Sequence, residues 1–118
     1  MAEAALYMGF GSPAHGRERA SLETWNDSLQ YFGRLQQDGK IERFDLAVLS
    51  PTGGNTGGFI MLRGTAAQID ALRRDDEFLD LLNRVQMIVD GLCVADAWVD
   101  EGLAQQITRF EKVIAQVG

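Results

Sequence analysis

Phe59-Ile60-Met61-Leu62-Arg63-Gly64-Thr65-Ala66-Ala67-Gln68 decides the architecture. Phe59 to Arg63 is a short apolar run bounded by glycine, which reads as a strand with Phe59 and Met61 on one face and Ile60 and Leu62 on the other. Thr65 to Gln68 fits the capping box, in which the Thr hydroxyl and the Gln amide satisfy orphan backbone N–H groups. A helix starting there buries Ile69 and Leu72. Arg73-Arg74-Asp75-Asp76 interrupts it, and an aspartate caps a second helical segment that buries Phe78, Leu82 and Val85. A strand therefore runs straight into a broken helix.

Upstream, Ala4 to Phe10 reads as another strand, ending in the turn Gly9-Phe10-Gly11-Ser12-Pro13. Leu22, Trp25, Leu29, Phe32 and Leu35 recur at helical spacing, and Asp38-Gly39 suits the end of that helix. Ile41 to Ser50 is a strand with Phe44, Leu46 and Val48 on one face. The glycine-rich loop Pro51 to Gly58 joins it to the strand at Phe59, predicting a β-hairpin with a mobile tip. Downstream, Met87 to Asp90 carries no clear pattern. Leu92 to Val99 reads as a fourth strand, entered through a bulge at Gly91. A helix follows from about residue 101 to 117.

The order is β-α-β-β-α-β with an added C-terminal helix. Two βαβ units of this kind interleave into a four-stranded antiparallel sheet with helices on one face, an α+β ferredoxin-like arrangement. At 118 residues the chain is expected to form a single domain, 1–118. Its 17 acidic and 11 basic residues give a net charge of −6, and the pI is near 4.6. Such a chain is repelled by phosphate backbones, so no nucleic-acid partner is expected. No stretch reads as a secretory signal or a membrane span, and the expected location is cytoplasmic. Cys93, the lone cysteine, sits among apolar neighbours and reads as a buried, inert thiol.

In a monomer of this topology the sheet face away from the helices should be polar. Here both sides are apolar: Leu6, Met8 and Phe10 oppose Ala5, Tyr7 and Gly9, Phe59 and Met61 oppose Ile60 and Leu62, and Val94 and Trp98 oppose Cys93, Ala95, Ala97 and Val99. Such a face needs a cover. Two covers are open: the same face of a second copy in a two-fold homodimer, or the chain's own C-terminal helix. That helix carries Leu103, Ile107, Phe110, Ile114 and Val117 as a narrow seam suited to either role.

The element order, the apolar open face and the helix ending Leu35-Gln36-Gln37-Asp38-Gly39-Lys40-Ile41 together resemble the dimeric α/β-barrel superfamily. Its members include YCII-related proteins and antibiotic-biosynthesis-type monooxygenases. The resemblance reaches to about Val99. It implies a dimer whose facing sheets form a barrel, and a small-molecule cavity between each sheet and its helices. YCII-related proteins carry a histidine early in the first helix. The matching stretch here is Asn26-Asp27-Ser28, so that activity does not carry over.

Few residues stand out for chemistry. His15, the single histidine, follows the first strand, where it is either a solvated loop residue or a proton-handling group at a cavity mouth. One histidine with scattered carboxylates is a poor metal site, and neither a metal nor a cofactor is expected. Asp96 interrupts an apolar strand on the side of Trp98, as a rim residue or a buried carboxylate, with Arg63 its expected ion-pair partner. Tyr7 and Trp98 are the aromatic candidates for orienting a ligand, with Arg63 beside them. Ser50 to Gly58 lacks a Gly-Lys-Ser/Thr ending and joins two strands, which argues against a phosphate loop. Two functions stay open: a barrel that binds or transforms a small apolar organic molecule, or a non-catalytic dimerisation module with a filled core. Whether the chain is an enzyme is undecided by its residues.

Overall fold

Alternation along the strands and capping at the helix ends account for most of the fold. The computed structural model describes residues 2–50 and 56–118. The elements in order are β1 (Ala4–Phe10), α1 (Glu18–Gln37), β2 (Arg43–Val48), β3 (Gly58–Gly64), α2 (Ala66–Arg73), α3 (Asp76–Gln86), β4 (Cys93–Trp98) and α4 (Asp100–Val117). The strands form one antiparallel sheet in the order β2-β3-β1-β4, as the ferredoxin-like reading predicts. β2 and β3 pair as a hairpin, with Val48 opposite Gly58. Its predicted tip, Pro51 to Asn55, lies outside the described residues.

The core forms where the helix-side faces of β1 and β3 meet α1, α2 and α3. Leu6, Met8, Ile60 and Leu62 pack with Tyr31, Phe32, Leu35, Ile69, Leu72 and Phe78. Local chemistry fixes how each helix meets the sheet. The Thr65 hydroxyl accepts from the Gln68 backbone N–H at 3.1 Å, and the Gln68 side-chain Oε1 accepts from the Thr65 backbone N–H at 2.8 Å. This is the capping box expected for α2. At the end of α1, Lys40 N–H donates to the Leu35 carbonyl at 2.9 Å and Gly39 N–H to that of Gln36 at 3.2 Å. That double closure requires a left-handed residue, and Gly39 supplies it with φ +72°.

Asp75 starts α3 by accepting from the Phe78 N–H at 3.3 Å, and it also accepts the Tyr31 hydroxyl at 3.0 Å. Burial, and then the Asp75 carboxylate, push the Tyr31 phenol well above its ordinary value. A pKa raised by folding contributes stability that is complete below the unfolded phenol value of about 10 and lost as pH rises above it. Urea unfolding at pH 9 and pH 11 should show that loss. Tyr31→Phe should reduce it and cost about 1 kcal/mol at neutral pH; an unchanged pH dependence would contradict the linkage.

The first helix departs from its predicted stripe. Phe32 and Leu35 are buried as expected, but Leu22 is 62% exposed, and Thr24 and Ser28 are buried in its stead at 3% and 5%. The sheet-facing line of α1 therefore carries small hydroxyl residues through its first half. They are buried cheaply because Thr24 donates to the Ala20 carbonyl at 2.8 Å and Ser28 to that of Thr24 at 2.7 Å.

α4 packs against β4 and does not cover the open sheet face of its own chain. Leu103, Ile107, Phe110, Ile114 and Val117 are exposed at 49–83%. The molecule measures 51 × 38 × 22 Å with a radius of gyration of 16.1 Å, where a compact chain of this length has about 13.5 Å. The base of α4 is fixed by close approach: a Cβ at Gly102 would collide with the Glu3 carbonyl oxygen. Among the described residues no helix is long and apolar enough to cross a membrane.

Candidate functional site

A cavity of about 410 Å³ opens between the helix side of the sheet and the first half of α1. Met8, Phe10, Val48 and Ile60 form its sheet wall, and Trp25 and Leu22 project from α1. Val85 at the end of α3 and Ile88, Val89 and Leu92 beyond it close the remaining side. Phe10 and Trp25 meet edge to face at 5.8 Å. The cavity exists because Ser21, Thr24 and Ser28, at one-turn spacing, present oxygen atoms where larger side chains would reach the sheet.

One end is closed by backbone. Pro13 and Val89 form an isolated antiparallel bridge. Gly11 N–H donates to the Asp90 carbonyl, Asp90 N–H to that of Ser12, and Ala14 N–H to that of Ile88, at 2.7–3.0 Å. The Ser21 hydroxyl ties α1 to the same segment through the Ile88 carbonyl at 3.0 Å. The stretch 87–90, without a pattern in sequence, thus forms the end wall of the cavity.

The sequence candidates lie apart from this lining. Tyr7 and Arg63 point to the open sheet face, where Tyr7 stacks obliquely on Phe59 at 6.0 Å. Trp98 and Asp96 are on the helix side of edge strand β4 and exposed. His15 is exposed on the turn two residues beyond Pro13, which lines the cavity.

Two expectations need correction. Arg63 pairs with Asp45 at 2.8 Å, and Asp96 with Arg73 at 3.0 Å. Arg63 lies opposite Ala5 and Asp96 opposite Leu6, so adjacent positions of β1 direct the two to opposite faces. Asp96 is a solvated rim residue, and Asp96→Asn should change stability by no more than about 0.5 kcal/mol in chemical denaturation. A loss several times larger would show a pair that the rest of the fold depends on. Cys93 is exposed rather than buried, because Val94 takes the core-facing position of β4 and leaves Cys93 on the open face opposite Gly9.

A second cleft, about 240 Å³, lies between α1 and α3. Two ion pairs lie within it, Arg34 with Glu77 and Arg84 with Asp27, each at 2.9 Å, and Asp80 lines it as well. Exposed pairs of this kind hold little energy.

No known family model and no curated protein matches the chain in sequence. Solved structures match in shape. A hydroxynitrile lyase from Passiflora edulis has a TM-score of 0.63 at 10% identity, covering 86% of this chain and 97% of its own. A dimeric protein of unknown function with a ferredoxin-like fold from Bacteroides fragilis has a TM-score of 0.59 at 7% identity, covering 81% and 96%. SnoaB, a cofactor-independent oxygenase from Streptomyces nogalater, has a TM-score of 0.56 at 10% identity, covering 84% and 95%. The chain therefore has the ferredoxin-like α+β fold, as its element order predicts.

Proposed function

We propose that this protein is a homodimer that binds a small, mainly apolar organic molecule in the cavity between the sheet and α1. The cavity itself carries this reading: at about 410 Å³ it falls within the range of small-molecule sites, roughly 300–1,000 Å³. A dimerisation module with a filled core requires no such space. The hydroxynitrile lyase and the cofactor-independent oxygenase of the same fold support a bound molecule that is also transformed. His15, beside the lining segment Gly11 to Pro13, is our candidate for handling a proton there.

The dimer reading rests on two unpartnered apolar surfaces, the open sheet face and the seam of α4. In it, Tyr7, Phe59 and Met61 pack against a second copy, and Arg63 with Asp45 lies at the rim. Cys93 would then lie in the same interface, unpaired, as suits the reducing cytoplasm.

Titration with the neutral polarity-sensitive dye prodan tests the site. The expected result is saturable blue-shifted emission at one dye per chain; emission that rises linearly without saturating would overturn the proposal. Sedimentation velocity should give twice the 13.0 kDa chain mass, and a monomer independent of concentration would overturn the dimer.

A further inference from the structure

We infer that the molecule taken by the cavity ends in an ammonium group and that carboxylates are disfavoured; this rests on the cavity being a ligand site. The three hydroxyls that α1 contributes to the lining share one hydrogen-bonding character. The Ser21, Thr24 and Ser28 hydroxyls give their protons to the carbonyls of Ile88, Ala20 and Thr24. Each retains lone pairs, so along the cavity they offer acceptors. A ligand acceptor would have to turn one of these hydroxyl protons away from its carbonyl, whereas a ligand donor meets a lone pair that is already free.

The charge in the lining has one sign. Glu18, the first residue of α1, is its single ionised side chain among the described residues, and no Lys, Arg or His joins it. Arg17 and Arg19 flank it in sequence but lie outside the lining. One Glu18 oxygen accepts from the Gly16 N–H at 3.3 Å, and the side chain is exposed. Glu18, Ser21, Thr24 and Ser28 then run along one side of α1, from exposed carboxylate to buried hydroxyls. An ammonium fits this gradient: it stays hydrated at the mouth beside Glu18, donates to the acceptors one turn further in, and leaves its apolar body against Met8, Ile60 and Trp25. A carboxylate at the same place meets the like charge of Glu18 with no cationic side chain among the described lining residues to offset it.

Three probes of one shape separate the possibilities: 1-naphthylmethylamine, 1-naphthylmethanol and 1-naphthoate, titrated calorimetrically into the full chain at pH 7. The amine should bind about tenfold more tightly than the alcohol, with the naphthoate weakest. Glu18→Gln keeps the shape and the Gly16 contact. It should remove the amine's advantage while leaving the alcohol within about twofold of its original affinity. Naphthoate binding as tightly as the amine, or an amine advantage that survives Glu18→Gln, overturns the inference while alcohol binding keeps the cavity as a site. Absence of binding by all three overturns the cavity reading itself.

Discussion

Ser28→Leu is expected to abolish prodan binding, by at least about 100-fold, in a chain that remains folded. The substitution points a branched apolar side chain into the cavity from the middle of α1, between Trp25 and the sheet. Overpacking ordinarily costs about 1–3 kcal/mol in a full core, but this position faces empty space. The lost back-bond to Thr24 costs about 1 kcal/mol. Filling an apolar void recovers roughly 24 cal/mol for each Å³ of cavity removed. The unfolding midpoint should therefore hold or rise while binding disappears. Affinity retained within a few-fold would place the dye elsewhere on the molecule.

Replacing Ile107, Phe110 and Ile114 together by Gln should turn the proposed dimer into a monomer at micromolar concentration. All three are exposed in the chain, so none contributes to its own core. Gln is a good helix former, which keeps α4 intact. Burying one such side chain is worth about 1.5–3 kcal/mol, and a two-fold interface repeats each loss. Even partial burial across the seam therefore amounts to more than a hundredfold in dissociation constant, at about 1.4 kcal/mol per tenfold. Circular dichroism should show the helix content preserved, and sedimentation should show the mass halved. A dimer of undiminished stability would mean that α4 takes no part in association.

The strands were legible in the sequence because each pairs two simple patterns. β1 lies at Ala4–Phe10, the residues its apolar run predicts, and Thr65 with Gln68 caps α2 as its spacing requires. The cavity was not legible, for a reason visible in α1. Counting apolar residues draws the stripe through Leu22, Trp25 and Leu29. The face that meets the sheet passes through Thr24, Ser28 and Tyr31, turned by about a third of a revolution at 3.6 residues per turn. Hydroxyls that bond back to their own helix can be buried, and hydropathy gives them no weight. Small residues at positions 21, 24 and 28 were the available signal.

The Arg63–Asp96 pairing and the burial of Cys93 failed where the rim reading of Asp96 held. Cys93 was judged by its neighbours in sequence, whereas strand neighbours alternate between faces. Because Arg63 registers with Ala5 and Asp96 with Leu6, adjacent residues of β1, the two do not share a face.

Methyl and indole NMR shifts on adding a neutral apolar probe test ligand binding in the cavity most directly. Binding there shifts the Met8, Ile60 and Ile88 methyl groups and the Trp25 indole, and leaves the Met61 methyl and the Trp98 indole in place. Shifts confined to Met61 and Trp98, with Met8 and Ile88 unmoved, would contradict it.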